Sequence, residues 1–174
     1  MKVFYIKKDE FKNRYDKDFI SRFVDKELKS EKRFYEYAIG RFLVKTVAKK
    51  CYDIANPEIL IQDRGKPVFK SEKLCFNISH SKNIVIACFD DYPCGIDIEF
   101  IKERDLVRFS EYYGKKFESA DDFYAFWTQK EAAYKIDAEI NDSYSCKFES
   151  QYFLTIVSNK KVGDISFLDA LSVS

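Results

Sequence analysis

Six apolar residues, Tyr35, Ala38, Ile39, Phe42, Leu43 and Val47, recur at helical spacing, with Ser30 placed to cap the start and Lys45, Lys49 and Lys50 on other faces. A helix with one apolar stripe must lay that stripe on a core. Beyond it the chain turns strand-like. Ile59-Leu60-Ile61 and Val68-Phe69 flank a turn at Asp63-Arg64-Gly65-Lys66-Pro67, and Ile84 to Phe89 precedes Cys94 to Ile101 across an Asp/Pro turn. Near the end of the chain, Phe153 to Val157 and Gly163 to Leu168 flank Asn159-Lys160-Lys161 and read as a second hairpin of the same form. Setting Phe100-Ile101 on Phe167-Leu168 puts Asp97 opposite Asp164 and Glu99 opposite Ser166. Unrelated hairpins can also look alike, but a pseudo-symmetric α+β protein with one working site would read this way.

The 174 residues include 17 Phe and 12 Tyr but only 5 Gly and 3 Pro, which supplies core material and argues against long linkers. Lys and Arg number 30 against 29 Asp and Glu, so no basic excess points to a nucleic-acid partner. The five cysteines contain no C-x-x-C pair, and His80 is the single histidine. Reduced core thiols therefore fit better than a disulfide frame or a zinc site. Met1 to Lys8 alternates like a short strand, and no run of about 18 apolar residues occurs, so a soluble cytoplasmic protein without a membrane span is expected.

Four short stretches carry chemistry. In Gly95-Ile96-Asp97-Ile98-Glu99, strand alternation puts Asp97 and Glu99 on one face and Ile96 and Ile98 on the other. Paired carboxylates repel unless a cation or basic group lies between them, and hard oxygen ligands suit Mg²⁺. An exposed polar face on an edge strand reads the same way. In Phe126 to Lys135, within a helix starting near Ser119, the residues Trp127, Glu131 and Lys135 recur at i, i+4 and i+8. That spacing serves a metal ligand or proton acceptor beside a phosphate-binding lysine, and equally a surface ion pair beside a core Trp. Phe76-Asn77-Ile78-Ser79-His80-Ser81 gathers hydroxyls, an amide and an imidazole suited to an anion, or to a purely structural turn. Gly65-Lys66-Pro67 presents one lysine from a turn.

Taken in order, G-K-P, N-I-S-H-S, G-I-D-I-E and W-T-Q-K-E-A-A-Y-K resemble the 4′-phosphopantetheinyl transferase family, in its longer, surfactin-synthetase-activating type. The motifs span residues 65 to 135. In the short fatty-acid type, the Ser-His element follows the D-x-E element instead of preceding it. The resemblance implies a pseudo-twofold, two-lobed α+β fold of antiparallel sheets with packed helices. Residues 1–90 would form the N-terminal lobe and 91–174 a reduced C-terminal lobe, with the site in the cleft between them. It implies an enzyme that moves 4′-phosphopantetheine from coenzyme A to a serine of an acyl or peptidyl carrier protein and releases 3′,5′-ADP. By the same resemblance, Asp97, Glu99 and Glu131 would hold Mg²⁺, Glu131 would be the general base, and Lys135 would contact phosphate. Gly65, Lys66, Pro67, Ser79 and His80 would grip the 3′-phosphate and adenosine end, with Lys26, Lys29, Arg33 and Arg41 as looser candidates.

The resemblance breaks after Lys135, where residues 136–141 contain no glycine. A monomer is expected, because two lobes in one chain complete the cleft. A non-catalytic coenzyme A or carrier-binding homologue is the alternative reading, and a metal-dependent nuclease a third.

Overall fold

The computed structural model describes residues 1–70 and 73–173. Its elements run β1 (Lys2–Lys7), α1 (Lys8–Arg14), α2 (Lys17–Ser21), α3 (Glu31–Cys51), β2 (Ile59–Ile61), β3 (Pro67–Phe69), β4 (Cys75–Ser81), β5 (Ile84–Asp90), β6 (Cys94–Phe100), α4 (Leu106–Tyr113), α5 (Ala120–Tyr134), β7 (Asp142–Phe148), β8 (Tyr152–Ser158) and β9 (Ser166–Asp169). The expected caps are present: Ser30 accepts the Arg33 N–H, and Ser119 forms a reciprocal capping box with Asp122 at the start of α5.

One strand–helix–hairpin unit occurs twice. In the first, β1, α3 and the β4–β5 hairpin give the strand order β4-β5-β1, extended by β9; in the second, β6, α5 and the β7–β8 hairpin give β6-β8-β7. In both units the last strand is central and antiparallel to its neighbours. Strand alternation then sets the layers. Val85, Ala87 and Phe89 of β5 pack under α3 with Ile39, Phe42 and Leu43. Ile84, Ile86 and Cys88 turn the other way, onto Ile96, Ile98, Leu154 and Ile156 of the second sheet. Phe153 and Val157 face away from that interlayer and pack with α5 residues. The result is helix, sheet, sheet, helix, with both faces of β5 and β8 buried.

Two expectations need correction. Ile84–Phe89 and Cys94–Ile101 are not a hairpin: β5 and β6 lie in different sheets, and the turn between them carries the chain across. The stretch 153–168 is likewise split. Strand β8 pairs with β7 through a turn in which Glu149 and Ser150 take φ of 47° and 54°. Strand β9 returns to the first sheet, parallel to β1, with Lys2 opposite Ser166. The last strand therefore sits in the sheet of residues 1–90, not with the rest of 91–174. Turn residues report a change of direction, whereas the choice of partner strand is a long-range packing decision.

Gly95 fixes how closely α5 approaches β6. A Cβ at this position would lie 2.3 Å from the Ala132 carbonyl oxygen and 3.1 Å from Val157 Cγ2. Backbone at that distance cannot step aside as a flexible side chain would. Gly95→Ala is expected to cost about 1–3 kcal/mol and to shift the end of α5, which carries Lys135. Urea unfolding measures the first effect, and an unchanged midpoint would show that the helix end has slack.

Candidate active site

The edge of β6 that faces away from β8 is not covered by another backbone. Side chains of β4 cover it instead. Asn77, Ser79 and Ser81 share one face of that strand, and their oxygens accept the N–H groups of Ile96 at 3.2 Å, Ile98 at 3.2 Å and Phe100 at 2.9 Å. Each serine then uses its own proton on a carboxylate: Ser79 donates to Asp97 Oδ1 and Ser81 to Glu99 Oε2, both at 2.9 Å. The seam that closes the protein also orients the D-x-E pair. The intervening Ile78 and His80 turn toward α3.

Helix α5 brings the counter-charge. With Ala132 packed on Gly95, Lys135 Nζ reaches Asp97 Oδ1 at 2.8 Å and the Ile96 carbonyl at 2.9 Å. Asp97 is only 6% exposed, and its second oxygen, Oδ2, is buried without a hydrogen-bond partner. A buried carboxylate oxygen left this way is costly unless a ligand satisfies it. Glu131 lies one turn before Lys135 on the same flank of α5 and is half-buried. Among the described residues its carboxylate has no hydrogen bond or ion pair. Also among the described residues, no three His, Cys, Asp or Glu side chains come together as a metal-holding group.

Two adjoining cavities open beside this centre. The smaller, about 210 Å³, is lined by Gly65, Lys66, Asn77, Tyr134 and Lys135 among others. Gly65 takes φ +78° in the turn, a conformation that suits glycine. Lys66 Nζ reaches Asp137 at 3.4 Å, tying that turn to the chain just beyond α5. The larger cavity, about 540 Å³, shares Gly65, Pro67 and Ile78 and adds Lys26, Arg33, Arg41 and His80. Arg41 donates to the Tyr37 hydroxyl at 2.9 Å. Tyr37 donates in turn to Asp25 and holds that carboxyl below its ordinary value.

Glu36, on α3, forms a buried charge centre next to the larger cavity. Its Oε1 lies 3.1 Å from Lys8 Nζ and 3.6 Å from His80 Nδ1. Partial desolvation lowers the His80 pKa below 6.5 even though its side chain is 48% exposed, while the Glu36 charge works the other way.

Gly65, Lys66, Pro67, Lys135 and His80 thus line two adjoining cavities, and Lys135 links Asp97 to them. Asp97, Glu99 and Glu131 line neither cavity and, among the described residues, do not come together as one group. Ser79 differs from its expected place. Its hydroxyl is buried and committed to Ile98 and Asp97, and Ser79 lines neither cavity. Sequence reasoning reads Asn77 and Ser81 only as part of an anion-suited stretch, and gives no role to Glu36. The first two carry a usable signal, since hydrogen-bonding side chains at 77, 79 and 81 alternate with Ile78 and His80 along a strand.

Buried carboxylates, a lysine and a cation-lined cleft suit a polyphosphate substrate with its counter-ion. Comparison with known proteins gives the class. No protein-family model matches the chain. The 4′-phosphopantetheinyl transferase ffp of Bacillus subtilis is 31% identical over 155 residues, covering 78% of this chain and 69% of the relative. Sfp of B. subtilis strain 168 is 30% identical with the same coverage. The transferase gsp of Aneurinibacillus migulanus is 29% identical over 113 residues, 58% of this chain and 47% of its own length. The chain belongs to the 4′-phosphopantetheinyl transferase family, in its Sfp-like type, and is a transferase. Among the described residues, no helix is long and apolar enough to cross a membrane.

Proposed function

We propose that this enzyme moves the 4′-phosphopantetheine group of coenzyme A onto a serine of an apo acyl or peptidyl carrier protein. The serine oxygen bonds to the β-phosphorus, the pyrophosphate P–O bond breaks, and 3′,5′-ADP leaves. The observation that carries this reading is the buried, unpartnered Asp97 Oδ2, set beside Lys135 at the mouth of the cleft. Asp97 and Glu99 on β6, with Glu131 from α5, would supply oxygen donors to Mg²⁺, which prefers carboxylates shared with substrate phosphate, although the three do not gather into one group in the substrate-free chain among the described residues. The ion would neutralise charge on the phosphates as the bond breaks.

The chain's own groups do the rest. Glu131 is free of internal partners among the described residues and takes the serine proton, directly or through water. Lys135 and Lys66 meet phosphate oxygens in the smaller cavity. His80, Arg33 and Arg41 meet the 3′-phosphate and adenosine end in the larger one. Ser79 and Ser81 keep Asp97 and Glu99 aimed. One chain supplies both walls, so a monomer suffices for the reaction.

Incubation with coenzyme A, Mg²⁺ and a panel of apo carriers, with intact masses read afterwards, tests this directly. A gain of one phosphopantetheine on at least one carrier is expected. Coenzyme A binding by calorimetry with no carrier modified at any Mg²⁺ concentration would favour the non-catalytic binding homologue instead.

His80 gives a second test, because it is the single histidine and its ring proton is unambiguous by NMR. In the free protein it is expected to titrate below 6.5. Neutral His80 therefore supports the fold at higher pH, and that support is lost as pH falls through the lowered value. Binding 3′,5′-ADP should raise this pKa, since an adjacent phosphate favours imidazolium. Affinity for the nucleotide should then weaken as pH rises through the bound value. An imidazole indifferent to 3′,5′-ADP would remove His80 from the 3′-phosphate end.

A further inference from the structure

The two oxygens of Asp97 live in unlike surroundings. Oδ1 accepts from both Ser79 and Lys135, whereas Oδ2, equally buried, accepts from nothing among the described residues. The backbone of Lys135 is the C-cap of α5, and its side chain is 26% exposed at the edge of the smaller cavity. Its ammonium holds Asp97 Oδ1 and the Ile96 carbonyl, and the four-carbon arm can leave both without moving the helix.

The geometry points to Lys135 as a displaceable counter-ion: it neutralises Asp97 in the substrate-free chain and passes to phosphate oxygens when a divalent cation arrives together with a pyrophosphate. This inference rests on the proposed reading of the cleft. A cation on Oδ2 alone would sit within a few ångströms of the ammonium and be repelled by it. A cation that brings a pyrophosphate gives Lys135 a new anionic partner, and the repulsion disappears. Free metal should therefore bind weakly and metal with coenzyme A strongly, a positive coupling between two ligands of one site. Lys135 acts here as a positioning residue as well as a phosphate contact, and metal affinity without turnover separates the two roles.

The experiment is Mn²⁺ binding monitored by electron paramagnetic resonance, with and without coenzyme A and with no carrier present. Wild type is expected to bind Mn²⁺ at least about tenfold more tightly with coenzyme A than without it. Lys135→Met should bind free Mn²⁺ about tenfold more tightly than wild type, with most of the coupling lost. Lys135→Arg, which keeps a cation on Asp97, should leave free-metal binding weak. If Lys135→Met binds free Mn²⁺ no better than wild type, the counter-ion role is overturned. Should that variant not fold, equal wild-type affinities with and without coenzyme A overturn it just as well. If wild type takes up no Mn²⁺ even with coenzyme A, it is the reading of the carboxylates as metal ligands that fails.

Discussion

Asp97→Asn is expected to lower the rate of transfer about a thousandfold and to destabilise the protein measurably. Asparagine keeps the volume of Asp97 and can still accept from Ser79, so the seam between β4 and β6 survives. What disappears is the charge. Lys135 loses its ion pair and keeps only neutral acceptors, the amide oxygen and the Ile96 carbonyl, and an amide NH₂ placed where the free oxygen lay cannot bind a cation. Loss of one partner from a fully buried pair costs about 3–5 kcal/mol. Lys135 is a quarter exposed and can rehydrate, so about 1–3 kcal/mol is the better expectation. Steady-state transfer and urea unfolding read the two effects separately. Wild-type turnover in the asparagine variant would remove Asp97 from the reaction.

Glu131→Gln should act on rate alone. Removal of a positioned general base costs about 10²–10⁴ in kcat, yet no group among the described residues depends on this carboxylate. Glutamine has nearly the same shape and helix propensity, so the melting temperature should move little. The contrast between the two variants is itself diagnostic, because Asp97 is tied into the fold while Glu131 has no internal partner among the described residues. A glutamine variant that transfers at the wild-type rate would assign the proton to another acceptor.

Much of this is legible one residue at a time. Ser30 and Ser119 read as helix starts because capping is a local exchange between a hydroxyl and the next turn. The alternation at 95–99 shows which side of the strand Asp97 and Glu99 share. The order of four motifs points to the family. Contacts between distant segments are not legible. Nothing local tells Ile84–Phe89 that its neighbours are β1 and β4, or tells Phe167 that it returns to Val3. Strand β7, Asp142-Ser143-Tyr144-Ser145-Cys146-Lys147-Phe148, escapes a pattern reading because it is mostly exposed and lacks an apolar rhythm. Ser79 reads as an anion contact because a hydroxyl that caps a strand edge and one that grips a phosphate are the same residue in sequence. The pairing of Lys135 with Asp97 crosses 38 positions, and only the folded chain reveals it.

The row Asn77, Ser79, Ser81 behaves as a detent. Its bonds repeat every second residue, about 7 Å along the strand, so any smaller slide of one sheet past the other loosens all of them together and no intermediate setting is available. Asp97 and Glu99 inherit that indexing. Their alignment is kept by a mechanical stop between the halves of the molecule, and drift is resisted even where no continuous backbone ladder joins the two.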